Sequence, residues 1–137
     1  MRSNLLGDHE DTARSYCELC RVQCKAGDLK GALESVKLSL RMRKNLLGDH
    51  IDTADTFREQ GVIHLTIGDN QSAEDAFQKA ADMNLNLGGD PLRTAQCYHN
   101  LGIAQNKMEN REGALASLQS SSKYDIKFAR GSRRHSS

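Results

Sequence analysis

A ten-residue stretch, NLLGDHEDTA at residues 4–13, recurs as NLLGDHIDTA at 45–54 and, more loosely, as NLGGDPLRTA at 86–95. The three copies stand at a constant offset of 41 residues with no gap: Thr12, Thr53 and Thr94; Ala13, Ala54 and Ala95; Tyr16, Phe57 and Tyr98. The register persists well beyond the motif, through Cys20, Gly61 and Gly102, through Ala32, Ala73 and Ala114, and through Val36, Phe77 and Leu118. A chain written this way is one structural unit copied three times, and any fold proposed for it must be modular.

Each unit reads as two helices. In the first copy Ala13, Tyr16, Leu19 and Cys20 recur at three- and four-residue spacing, the signature of one buried helical face. Leu29, Ala32, Leu33, Val36 and Leu40 repeat that pattern in the second half. Between them stands AGDL, where Gly27 supplies a left-handed stop and Asp28 a cap for the next helix. The second copy keeps this turn as IGDN. The third has MENR, in which Glu109 replaces the glycine and Asn110 keeps the capping role, so this turn is expected to be the least well formed.

The opening motif is the join between units. The single proline, Pro91, follows Asp90 and falls where His9 and His50 stand in the other copies. Proline is favoured at the first helical position, where its missing N–H costs nothing. Asp8, Asp49 and Asp90 are therefore the expected N-caps, with Gly7, Gly48 and Gly89 ending the linker before each. Asp11 and Asp52, three residues further on, complement the helix dipole and complete a capping-box-like pair.

Small residues recur where helices must cross closely: Cys20, Gly61 and Gly102 on the first helix, and Ala32, Ala73 and Ala114 on the second. A helix hairpin of this size cannot bury its apolar face alone, and stacking on neighbours supplies a continuous core. The expected architecture is all-α, a solenoid of three helix-turn-helix units. Residues 1–8 end a preceding repeat or linker, 9–48, 49–89 and 90–128 form repeats one to three, and 129–137 form a basic, disordered tail. Phe128 stands where a fourth opening motif would place its leucine, which suggests a segment of a longer array with uncapped ends open to self-association. Few large apolar groups, with Gly31 and Gly113 inside expected helices, imply modest stability.

Composition narrows the function class. The net charge is +1, so the chain lacks the electrostatic footprint of a nucleic-acid binder. The positive charge concentrates from Lys123 onward, where five basic residues face Asp125 and leave the first 122 residues net negative. No apolar run approaches the roughly 18 residues of a membrane span and no signal-peptide core opens the chain, so a cytoplasmic location is expected. Four cysteines, three crowded into one short segment, fit free thiols better than a disulfide framework.

An aromatic, then Leu-Gly, then Gly-Asp and an alanine four residues before a large apolar residue resembles the tetratricopeptide pattern, carried here by CYHNLGIA (97–104), IGDN (67–70) and ALASL (114–118). The longer period and the LGDHxDTA join are similar to the variant of kinesin light chains and nephrocystin-3-like proteins. The resemblance covers about residues 4–128. It implies a right-handed solenoid whose first helices line a concave groove for a peptide or partner segment. Carried over by position, that groove presents Arg14, Cys17, Glu18, Arg21, Cys24 and Lys25, then Asp55, Arg58, Glu59, Val62 and Thr66, then Gln96, His99, Asn100, Ile103, Asn106 and Lys107. Mixed charges with little apolar surface suit an extended segment held by hydrogen bonds and ion pairs. The family asparagine preceding Leu-Gly is kept only as Asn100; Glu18 and Glu59 occupy the matching places, where they either select a basic ligand or pair with Arg21 and Arg58. HEAT or armadillo repeats lack the Gly-Asp turn, and a propeller would need strand alternation and tryptophan.

Sharper chemistries fare worse. Cys17, Cys20 and Cys24 form one helical stripe that invites a zinc reading with Cys97 or His99. Cys20, however, fills the site of Gly61 and Gly102, so its role is to be small, and no metal or other cofactor is expected. His9 and His50 give way to Pro91 and are helix-start residues; His64 and His99 belong to no motif. No phosphate loop, nucleophile elbow or HExxH helix is present, and a solenoid spreads its residues too far to converge a triad. The tail RGSRRHSS resembles a basophilic kinase site at Ser136, against which stands the simpler reading of a solvated terminus. The expected function is a non-enzymatic protein or peptide interaction scaffold. The alternative is a structural or regulatory segment of a larger motor-adaptor or signalling protein, packed against that protein's own domains.

Overall fold

The computed structural model describes residues 10–136, with side chains described through Asp125. Six helices follow one another: α1 (Glu10–Ala26), α2 (Leu29–Leu47), α3 (Ile51–Ile67), α4 (Asn70–Asn86), α5 (Pro91–Lys107) and α6 (Arg111–Ser136). The fold is an all-α solenoid of helix hairpins. Helices pair as α1–α2, α3–α4 and α5–α6; α2 then packs on α3 and α4 on α5, and the first helices touch along their own row. No strand occurs among the described residues. The caps proposed at Asp8 and the groups at Phe128 and Ser136 lie outside the described side chains. The helix α6 carries the chain through residues 129–136, where the sequence leads one to expect a disordered tail; alanine, arginine and serine tolerate a helix there and no proline interrupts it.

The core is a string of small clusters at the junctions between repeats. Cys20, Ala32, Val36 and Ile63 form the first, joining α1, α2 and α3. Ala73, Phe77, Leu101 and Ala104 form a later one, joining α4 and α5. The small-residue positions act as sockets sized to their partners. A Cβ on Gly61 would stand 2.6 Å from the Phe77 ring, and one on Gly102 would stand 2.8 Å from Leu118 Cγ. In the first repeat the partner shrinks to Val36, and a cysteine fits.

Within each hairpin the turn closes identically. Gly27 (φ 89°), Gly68 (φ 101°) and Glu109 (φ 63°) all take the left-handed conformation. The next residue's N–H then returns to a carbonyl five back: Asp28 to Gln23 at 2.8 Å, Asp69 to His64 at 2.9 Å, Asn110 to Gln105 at 2.9 Å. The third turn is thus as well formed as the others, because packing of α6 on α5 forces Glu109 into a conformation that disfavours any residue with a Cβ. Asp28, Asp69 and Asn110 each accept from the N–H three residues on, at Gly31, Ser72 and Gly113. Gly31 and Gly113 are therefore first-turn residues under a cap, where a glycine costs less than in a helix interior.

One cap differs from expectation. Asp90 does cap α5, accepting from the Leu92 N–H, with Pro91 at the first position. Asp49 does not cap α3. His50 does, in an extended conformation, its Nδ1 accepting from the Asp52 N–H at 3.0 Å. Without a proline to fix φ, this helix starts one residue later in the repeat register, and the imidazole takes over the capping.

Candidate functional site

The first helices α1, α3 and α5 present the expected groove residues, and the structure sorts them into three kinds. The first is locked into ion pairs that bridge neighbouring repeats. Arg21 on α1 donates to Glu59 on α3 at 2.9 Å and to Glu18 on its own helix at 3.0 Å. Arg58 adds a 3.5 Å contact to Glu59. One repeat on, Arg93 on α5 pairs with Asp55 on α3. Glu59, well shielded between two guanidiniums, serves internal pairing; the Arg21 guanidinium is held further above its usual pKa by that same carboxylate. Arg14 lies 3.4 Å from Asp11. Arg93, which sequence reasoning left out, belongs to this set. Its signal was the offset of 38 residues shared by Arg21–Glu59 and Asp55–Arg93, one repeat less one helical step.

The second kind faces inward. Cys17 is 2% exposed and does not line the groove. It holds the position of Arg58 and His99, whose longer side chains reach out where a thiol stops short. Cys24 and Val62 pack against core clusters; Thr66 is exposed, but its hydroxyl donates to the Val62 carbonyl of its own helix. The thiols are reduced, and burial pushes Cys97 up to about 11. Among the described residues no group of three His, Cys, Asp or Glu side chains converges on a metal position.

The third kind stays open. Lys25, Gln96, His99, Asn106 and Lys107 are exposed and Asn100 is half-buried. Arg58, Gln96, His99 and Asn100 also line a hollow of about 470 Å³ closed on its far side by Ser121 and Asp125 of α6, two residues the sequence reading did not include. Arg58 Nε is buried there without a hydrogen-bond partner. Ile103 lines a separate, more apolar hollow of about 310 Å³ against Leu115 and Leu118.

Residues 11–86 match the family model described as tetratricopeptide repeat. The chain belongs to the tetratricopeptide repeat family. Its fold is similar to the crystal structure of BtubC (BKLC) from P. vanneervenii, with a TM-score of 0.88 at 18% identity, covering 93% of this chain and 52% of that one. The chain thus spans about half the length of BtubC. It is also similar to the N-terminal domain of stress-induced protein-1 (STI-1) from C. elegans, with a TM-score of 0.73 at 14% identity over 84% of this chain and 85% of that one. No curated protein sequence matches it. Tetratricopeptide membership supports a protein–protein interaction scaffold in general. No helix among the described residues is long and apolar enough to cross a membrane.

Proposed function

We propose that the chain is a non-catalytic scaffold whose row of first helices binds an extended segment of a partner protein, and that it is of the kinesin light chain-like variety. The observation that supports the binding mode is the division of labour along the groove. Charges of neighbouring repeats pair with one another across helices, Arg21 with Glu59 and Arg93 with Asp55, and stiffen the face, whereas the amides of Gln96, Asn100 and Asn106 and the ammonium groups of Lys25 and Lys107 make no side-chain hydrogen bond or ion pair within the described chain. Open amides offer a donor and an acceptor each, the complement of an extended backbone, and flanking lysines favour acidic side chains at its ends. Glu18 and Glu59 are engaged by Arg21, so selection of a basic ligand through them is disfavoured. The subtype rests on the 41-residue period, the LGDHxDTA join and the likeness to BtubC.

Selection of a random linear peptide library on the intact chain, repeated on Asn100→Ala and on Lys25→Ala, tests this reading. Enriched acidic peptides whose affinity falls about tenfold on Asn100→Ala, a loss of about 1.4 kcal/mol, are the expected result. Peptides that bind both variants as tightly as the original chain would place recognition elsewhere.

A further inference from the structure

The two ends of the stack carry the two halves of an interface that the molecule already makes twice inside itself. At the interior junction between repeats two and three, Gly61, Val62, Leu65, Ala73 and Phe77 form the seat in which Leu101 and Ala104 of α5 are buried. Moved forward by 41 residues, that seat becomes Gly102, Ile103, Asn106, Ala114 and Leu118, the lining of the hollow of about 310 Å³. The occupant moved back to the first repeat becomes Leu19 and Val22 of α1. The Val22 position is buried at both interior junctions, as Ile63 and Ala104, and the Leu19 position is half-buried as Gln60 and buried as Leu101; in the first repeat Leu19 and Val22 are 42% and 63% exposed. On the opposite end Leu115 and Leu118, in the places of Leu33 and Val36, are 61% and 40% exposed.

The larger hollow obeys the same rule. Its lining residues Gln96, Ser121 and Asp125 correspond to Asp55, Ala80 and Asn84 one repeat earlier. There the space is filled by α5: Asp55 pairs with Arg93, Ala80 packs near Cys97, and Asn84 donates to Thr94. The two hollows thus repeat, along α5 and α6, the two parts of the seat that holds a first helix at the interior junction, and at the other end the molecule carries a first helix, unpartnered on the matching side among the described residues.

We propose that a second copy of this chain docks head to tail, its α1 laid in the seat formed by α5 and α6, with Leu19 and Val22 entering beside Leu118. Such a contact is heterologous, so it leaves one free seat and one free α1 on every assembly and propagates as an open stack. The seat shares Gln96, Ile103 and Asn106 with the groove proposed for peptides, but Leu19, Val22, Leu115 and Leu118 are outside the groove set, so substitutions at those four positions test stacking without removing a groove residue.

Sedimentation velocity on the full 137-residue chain, from low micromolar to near-millimolar, tests it with two variants, Val22→Glu on the α1 face and Leu115→Glu on the seat. Both positions are exposed, so helicity by circular dichroism should match the original chain. The original chain should grow with concentration beyond two copies. Each variant alone should stay at one copy, while their equimolar mixture should rise to two copies and stop, since it holds one intact α1 and one intact seat. An original chain that stays single at every concentration, a variant that still pairs with itself, or a mixture that remains at one copy while the original chain associates would each overturn the proposal.

Discussion

Glu109 shows how a single residue is overruled by its surroundings. It occupies the turn position held by Gly27 and Gly68 and keeps their left-handed backbone at φ 63°. A side chain there costs roughly 1–2 kcal/mol, part of which a glycine would return as lost unfolded-state order, so Glu109→Gly should stabilise the chain by about 0.5–1 kcal/mol. Urea denaturation of the two proteins measures this directly. Position 23/64/105 offers a second case. Gln23 accepts from the Ser35 hydroxyl and Gln105 from the Ser117 hydroxyl. The middle repeat has His64 opposite Ala76, and burial lowers the imidazole below its ordinary 6.5, outweighing the opposing pull of Asp69. A histidine held low binds fewer protons folded than unfolded, so its contribution is intact above pH 6.5 and is lost as pH falls through the lowered value. Stability should decline from pH 7 to 5, and His64→Gln should flatten that decline in melts recorded across the range. Sequence reasoning marked Glu109 as the exception in its turn and assigned His64 to no motif, yet it could not tell that a tertiary packing constraint would impose the turn on Glu109, or that His64 would be desolvated. The Asp49 cap was misread for a related reason: only the proline of the third copy fixes the start of its helix.

Between elements, the governing quantity is the match of socket and knob. Gly61 and Gly102 accept Phe77 and Leu118 at distances no Cβ tolerates, whereas Cys20 faces the smaller Val36. Gly61→Ala adds a methyl group against the Phe77 ring, and overpacking of this kind costs about 1–3 kcal/mol despite the gain in helix propensity. Joining Gly61→Ala to Phe77→Val, which imitates the first repeat, should cost less than the sum of the two single changes, and a double-mutant cycle in urea reads that coupling. The helices themselves, their pairing and their small-residue crossings were legible because a 41-residue offset aligns three independent copies of each position. Less legible was the groove. Position alone could not show that Cys17 is too short to reach it, that Arg21 would bridge to Glu59, or that α6 would contribute Ser121 and Asp125, since these depend on side-chain length and on the step from one repeat to the next.

At the scale of the whole chain, stability is distributed by neighbours rather than by a central core. Each junction cluster joins one hairpin to the first helix of the next, so the middle hairpin is gripped from both sides while the outer hairpins are gripped from one. The outer faces also hold the most exposed large apolar side chains, Val22 and Leu115. Opening should therefore begin at the ends and reach α3 and α4 last, in the manner of cooperative units of unequal stability. Hydrogen exchange followed by mass spectrometry at low concentration should find the slowest amides in Ile51–Asn86, with α1 and α6 exchanging faster. Repeating the measurement at high concentration adds a second expectation. If copies stack, each α1 gains a seat and each α5–α6 pair gains an occupant, so protection should rise at the ends and leave the middle hairpin unchanged. A uniform rise would instead show global unfolding as the exchange route, and a fast middle hairpin would contradict the nearest-neighbour account of what holds the repeats together.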